Sequence, residues 1–216
     1  MDRAHEEFEC YKDHERILRT LKGLGPKPVI YDVGSCVLHW TKAAKKVFPS
    51  GTYVLFDAWE GGRELYTGYQ HHFGVLGAED GQVVEWYEND QLPWGNSFYR
   101  ERTPVFPVGS GKPRVTERLD TVVAAKGFPM PDIVKIDVQG SERDVIQGGL
   151  ETLSRAKYLI VEMQHEEYNE GAPKFDEVGP WLESLGWACK GWRFSRGGAM
   201  DVDADYLFER KVSPLE

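Results

Sequence analysis

The sequence predicts an α/β fold, a mostly parallel sheet with helices on both faces. Three observations predict it. Short apolar runs alternate with stretches of helical period along the chain, the order that a parallel sheet with crossover helices requires. Residues 29–57 read as strand, helix, strand, a unit whose crossover is right-handed in nearly every case. The last two apolar runs flank only a short loop containing Ser195-Arg196-Gly197-Gly198. That gap is too short for a crossover, so the two strands pair antiparallel, with the final strand inserted beside its predecessor.

The elements follow in order. Cys10, His14, Ile17, Leu18 and Leu21 recur at helical spacing and predict an amphipathic helix over 3–22. Glu6, Glu7 and Glu9 stand early in it and Arg16, Arg19 and Lys22 late, as the helix dipole favours. Gly23, Gly25, Pro26 and Pro28 end it. This helix and its lead-in (1–27) precede a single domain over 28–216. The first strand, Val29-Ile30-Tyr31, stops at Asp32-Val33-Gly34, and a helix runs from Val37 to Phe48. Tyr53–Phe56 is the second strand, ending at Asp57, and His72–Leu76 a third. Gln82–Tyr87 alternates like a short antiparallel strand. Residues 88–113 are rich in Pro, Gly, Asn and Trp; a loop this long with aromatics suggests a functional segment and not a linker. A helix over Glu117–Ala125 precedes the strand Asp132–Ile136, which ends at Asp137. Ser141 caps a helix from Glu142 to Gln147. Tyr158–Val161 ends at Glu162, a helix covers Phe175–Leu185, and Trp187–Trp192 and Tyr206–Glu209 close the sheet.

Composition bounds the function. The chain has 216 residues, 41% apolar and 28% charged, as in one ordinary globular domain. With 35 acids against 26 bases the net charge is −9, which makes a poor electrostatic partner for nucleic acid or anionic lipid. No apolar run reaches the ~18 residues of a membrane helix, and the charged N-terminal stretch lacks a signal-peptide core. Cys10, Cys36 and Cys189 are odd in number and lack metal-ligand spacing. They read as free thiols in a reducing compartment, so a cytoplasmic location is expected.

In an open α/β sheet the ligand binds beyond the carboxyl ends of the strands, where strand order reverses. Those ends carry Asp32 and Gly34, Asp57, Gly77, Asp137 and Glu162. A carboxylate can also merely cap a strand end; four on one rim favour a ligand site. A dinucleotide motif needs three glycines, and Gly34 is followed by Cys36 and His39 instead. One glycine still permits the tight turn, whose amides and helix dipole can meet a carboxylate, while Asp32 can meet an ammonium. Asp57, 23 residues after Gly34, can accept both hydroxyls of an adenosine ribose. Together these three residues fit S-adenosylmethionine; a nucleotide-free α/β domain is the other reading.

Three segments resemble the FkbM family of S-adenosylmethionine-dependent methyltransferases. Val29-Ile30-Tyr31-Asp32-Val33-Gly34-Ser35 is similar to the family's first motif, usually D-[IV]-G-A-N-x-G. Phe56-Asp57-Ala58 stands where F-E-P is common, and Lys135-Ile136-Asp137-Val138-Gln139-Gly140-Ser141-Glu142 is similar to K-I-D-V-E-G-A-E. Leu119-Asp120-Thr121-Val122-Val123 and Ile160-Val161-Glu162 are looser matches. Cys36, Leu38 and Gln139 depart from the family's Asn, Gly and Glu, and Asp57 is one methylene shorter than its Glu. The departure at Leu38 predicts a backbone farther from the methionine moiety. The resemblance implies a Rossmann-like class I methyltransferase fold and O-methylation of a sugar, glycan or similar hydroxyl. Alternatives are a lipid or secondary-metabolite hydroxyl, or an inactive module that binds the cofactor or a glycan. The expected cofactor set is Asp32, Gly34, Ser35, Asp57, Ala58, Trp59 and Gly77.

Methylating an aliphatic hydroxyl requires positioning and a general base. Asp137 is the first candidate, at the end of a buried strand. Glu162 and His165 follow, His165 having the ordinary pKa nearest neutrality. The same three residues offer a ligand set for a divalent cation such as Mg²⁺ or Mn²⁺. Glu142 reads as a helix-start carboxylate. Asp201–Asp205 is no calcium loop, because Tyr206 and Val212 occupy the positions that need glycine and an acid. Trp94, Asn96 and Tyr99 are expected to stack on and hydrogen-bond the acceptor.

Overall fold

The computed structural model describes residues 14–194 and 202–211. In chain order the strands are β1 (Val29–Val33), β2 (Thr52–Asp57), β3 (Gln70–Phe73), β4 (Val75–Leu76), β5 (Val83–Trp86), β6 (Lys112–Glu117), β7 (Ile133–Ile136), β8 (Tyr158–Gln164), β9 (Trp187–Phe194) and β10 (Asp203–Arg210). The α-helices with full bounds are α1 (His39–Val47), α2 (Leu119–Lys126), α3 (Glu142–Gly148), α4 (Leu150–Ser154) and α5 (Phe175–Ser184). Seven strands form the central sheet in the order β3-β2-β1-β7-β8-β10-β9. All pair parallel except β10, which lies antiparallel between β8 and β9. Strand order reverses between β1 and β7, which places the ligand-binding crevice there.

Period-two alternation divides the core between two faces. Tyr31, Val33, Val54, Phe56, Val134, Ile136, Leu159 and Val161 point to one face, under Leu119, Val145 and Leu182 of α2, α3 and α5. Ile30, Leu55, Ile133, Ile160 and Leu207 point to the other, under Trp40 and Ala44 of α1. Ile17 and Leu18, in the helical residues 14–18, are each 1% exposed against this second face. Cys10 and the first turns of the predicted N-terminal helix lie outside the described residues, as do Arg196 and the loop Ser195–Gly198.

The expected third strand divides. Gln70–Phe73 joins the central sheet, while Val75-Leu76 turns away to pair with β6 in a separate sheet, ordered β4-β6-β5. β6 emerges from the end of the predicted loop; Lys-Pro-Arg-Val-Thr-Glu, mostly exposed, carries no clear alternation. Arg114 ties this small sheet to the loop after β2 by donating to the Ala58 carbonyl at 2.9 Å. Ser141 precedes α3 but makes no side-chain cap; its hydroxyl donates to the Val138 carbonyl. No helix among the described residues is long and apolar enough to cross a membrane.

The loop after β1 keeps its left-handed turns without the usual residues. Cys36 has φ 45° and Leu38 φ 64°, each a strained conformation for an L-residue, at roughly 1–2 kcal/mol. Leu38 is 3% exposed in the core, and that burial offsets the strain. Gly34 has no such latitude. Its φ is +84°, and a Cβ there would lie 1.8 Å from the Asp137 carbonyl oxygen. Gly34→Ala is expected to cost about 3 kcal/mol or more, measured by urea unfolding. A variant within about 1 kcal/mol of wild type would show that the loops after β1 and β7 can part.

Candidate functional site

The alternation that builds the second core also assembles the site. Two residues beyond Ile30, Leu55, Ile133 and Ile160 stand Asp32, Asp57, Lys135 and Glu162, all on that face by strand parity. Antiparallel β10 begins where β8 ends, with Asp205 in register with Glu162. One rim thus gathers side chains from β2, β1, β7, β8 and β10. A cavity of about 330 Å³ opens there. Of the sequence-predicted residues, its wall includes Asp32, Gly34, Ser35, Asp57, Ala58, Trp94, Asn96 and Asp137.

Asp57 accepts the Cys36 N–H at 2.6 Å on Oδ2 and the Trp59 N–H at 2.8 Å on Oδ1. The Ala58 N–H and the Tyr66 hydroxyl also stabilise its charge, and the residue stands on the cavity wall. Burial pushes its pKa up to about 6, against those backbone hydrogen bonds. Asp32 is more enclosed; it accepts the Thr41 hydroxyl, and burial pushes it up to about 7, against Thr41 and the Lys135 charge. The N–H groups of Gly34 and Ser35 both donate to the Phe56 carbonyl, at 2.9 and 3.1 Å. They are therefore engaged within the protein, not offered to a ligand carboxylate as the turn predicts.

Lys135, 2% exposed, stands on the cavity wall in register with Asp32. Its Nζ lies 2.7 Å from Asp205 Oδ1 and 3.1 Å from Asp137 Oδ2. Burial opposes its charge, but Asp137, Asp205 and Glu162 outweigh that and hold it protonated well above the ordinary lysine range. His14 Nε2 lies 3.0 Å from the second oxygen of Asp205. Burial alone would raise Asp205; Lys135 and His14 hold it well below the usual carboxylate range. Gln139, at φ 56°, donates its amide to Asp137 Oδ1 at 2.8 Å and to Glu162 Oε2 at 2.7 Å. An ionised glutamate there would repel both. Glu142 accepts the N–H groups of Val138 and Gly140, at 3.0 and 3.1 Å. It braces the loop after β7 rather than its own helix start.

Five predicted residues are placed elsewhere. Trp59 donates its indole to Asp90 and its ring packs where side chains on Gly61 and Gly62 would sit. Gly77 pairs with the Glu117 carbonyl and lies against Gly148 of α3. Tyr99 donates its hydroxyl to Asp144 of α3 and does not line the cavity. Glu162 lies beside the Gln139 amide, off the cavity wall. His165 pairs with the Tyr206 hydroxyl at 2.8 Å and packs on Phe175.

The expected cation site is therefore not assembled. Glu162 and His165 are three residues apart along the β8 path, so they face opposite sides of the sheet, and Gln139 bridges Asp137 to Glu162. Among the described residues no group of three or more His, Cys, Asp or Glu is arranged to hold a metal.

Sequence reasoning missed Lys135, Asp205, His14 and Trp40, all on the cavity wall. Strand parity was a usable signal for Lys135 and Asp205, which share the face of Ile133 and Leu207. Trp40 Nε1 and Asn96 Nδ2 are buried donors with no partner among the described residues; both belong to residues lining the cavity. A buried donor without an acceptor costs roughly 1–3 kcal/mol, and both nitrogens are themselves enclosed.

A family model described as "Methyltransferase FkbM domain" matches residues 32–187. A segment of 56 residues is 41% identical to the 2-O-methyltransferase NoeI of Sinorhizobium fredii, covering 26% of this chain and 23% of that protein. Among solved structures, a methyltransferase FkbM from Methylobacillus flagellatus superposes with TM-score 0.57 at 12% identity, over 88% of this chain and 47% of that one. The fibrillarin pre-rRNA processing protein of Methanococcus jannaschii gives TM-score 0.55 at 9% identity, over 93% of this chain and 74% of that one. At these identities the two structures bear on the fold alone, the Rossmann-like fold of class I methyltransferases. The chain thus spans under half of the Methylobacillus protein, and its match covers under a quarter of the Sinorhizobium one.

Gln139→Glu is expected to remove two donated hydrogen bonds and set three carboxylates together, destabilising the protein by about 1–3 kcal/mol at pH 8. Thermal unfolding checks this; the loss should shrink toward pH 5 as the new carboxyl takes up a proton. Equal stability at pH 8 would show that the bridge carries no weight.

Proposed function

The chain belongs to the FkbM methyltransferase family, and on that premise we propose that it is an S-adenosylmethionine-dependent O-methyltransferase acting on a sugar or glycan hydroxyl. The observation that carries this reading is Asp57. Its carboxylate, an acceptor-only group when ionised, stands at the end of β2 on the cavity wall, fixed by the Cys36 and Trp59 N–H groups. That is the chemistry a ribose diol requires. Asp32, Asp57, Asp137 and Asp205 outnumber Lys135 along the wall, and such a rim suits a cationic sulfonium. When bound, S-adenosylmethionine supplies an electrophilic methyl group.

Everything else falls to the chain itself. The acceptor oxygen must be held in place and relieved of its proton, and positioning supplies most of the rate. Asp137 is the base in this reading, its side chain 25% exposed at the cavity and steadied on both oxygens by Lys135 and Gln139. Trp94, 42% exposed, offers a stacking face for a sugar ring. The net charge of −9 favours an uncharged acceptor over a polyanion. The Sinorhizobium relative is named a 2-O-methyltransferase, and the hydroxyl-directed reading extends that name.

Radiolabelled methyl transfer to p-nitrophenyl glycosides, set beside long-chain and aromatic alcohols, tests the reading. Label in the glycosides supports it. Label only in the alcohols moves the acceptor to the lipid or secondary-metabolite class. Calorimetric cofactor binding with no transfer at all would make the chain a binding module. Asp137→Asn is expected to cut turnover by about 10² or more with cofactor affinity unchanged; normal turnover removes Asp137 as base.

Asp57 also sets a pH dependence. With its pKa near 6 in the ligand-free protein, ionisation must precede ribose binding at low pH. Affinity should therefore fall about tenfold from pH 8 to pH 5. Asp57→Asn should bind more weakly at pH 8 and lose this slope. A slope that survives in the variant would place the titrating group elsewhere.

A further inference from the structure

We propose that Lys135, clamped by Asp205 and His14, is a positioning residue that aims the Asp137 carboxylate at the acceptor. The inference rests on the methyl-transfer reading above and assigns its machinery further. Lys135 occupies a strand position where the alternation requires an apolar side chain. Ile133 precedes it on the same face, and Asp32 and Ile160 flank it in register. Buried ion clusters are a poor route to stability, since apolar residues of equal volume do as well or better. The cluster therefore needs another reason to exist, and its geometry supplies one.

Each contact fixes the next. His14 Nε2 lies 3.0 Å from Asp205 Oδ2 and the Lys135 ammonium 2.7 Å from Asp205 Oδ1, both as ion pairs, and the ammonium donates a hydrogen bond to Asp137 Oδ2 at 3.1 Å. Gln139 holds the remaining Asp137 oxygen at 2.8 Å. An Asp137 so held has one orientation, toward the cavity it lines. In turnover the acceptor O–H proton passes to Asp137, the bonding pair stays on the oxygen, and Lys135 keeps its own protons throughout.

The clamp comes from outside the family match. His14 precedes residue 32 and Asp205 follows residue 187. Lys135 and Asp137 belong to the matched span, while the residues that immobilise them are contributed by the helical residues 14–18 and by β10. The functional unit is thus larger than the matched domain.

A double-mutant cycle on the full-length protein tests this, using the p-nitrophenyl glycoside assay above. Lys135→Met is expected to lower kcat by about 10² or more, with the cofactor Kd within about threefold by calorimetry. Asp205→Asn alone should lower kcat about tenfold, and Lys135→Arg should recover part of the loss. Because Asp205 acts through Lys135, adding Asp205→Asn to Lys135→Met should cost nothing more. That double variant removes one charge of each sign, so it remains available if Lys135→Met alone fails to fold, its kcat then expected at the Lys135→Met level. A Lys135→Met or double-variant kcat within about threefold of wild type, or losses that simply multiply, overturns the proposal. If wild type methylates no glycoside, the sugar reading fails separately. The clamp is then decided by the ¹³C resonance of the Asp137 carboxyl group at pH 7. It should move in both Lys135→Met and Asp205→Asn; no movement in Asp205→Asn overturns the clamp.

Discussion

One buried cation holds the polar rim together. Lys135 draws in carboxylates that would otherwise repel one another across a few ångströms, and its ammonium contacts both Asp137 and Asp205. Removing one member of such a buried pair typically costs about 3–5 kcal/mol, because the partner charge is left unpaired. Gln139 does the same work with neutral chemistry between Asp137 and Glu162. The aliphatic sheet below sets the strand positions; these two side chains decide whether an acidic rim can exist on it.

The sheet that carries this rim was largely legible. Strand ends at Asp32, Asp57, Asp137 and Glu162, the crossover through α1 and the antiparallel closing strand all follow from apolar runs and loop lengths. β6 was not legible, because its exposed Lys-Pro-Arg carries no alternation and only pairing with β4 and β5 makes it a strand. The same weakness lets His72–Leu76 read as one strand when Gly74 turns the chain between two sheets.

The site was legible in its first half and misread in its second. Asp57 and Asp32 stand where strand-end reasoning puts them. His165 was grouped with Glu162 by proximity in sequence, and parity separates them: one faces the polar rim, the other the aromatic packing of Phe175 and Tyr206. His14 looked like one more position on an amphipathic stripe, and only the tertiary fold shows Asp205 beneath it. Cys36 and Leu38 were read as losses from a glycine motif. The backbone keeps the left-handed turns all the same, because neighbouring packing over-determines the loop.

The insertion of β10 between β8 and β9 has a temporal consequence. Asp205 sits on the last described strand, and β9, which precedes it in the chain, must leave a lane open beside β8 for it to enter. Until β10 has been made, Lys135 and the acids around it lack the Asp205 partner. Pairing over a longer sequence separation is slower, so the polar rim is complete only once β10 has entered beside β8.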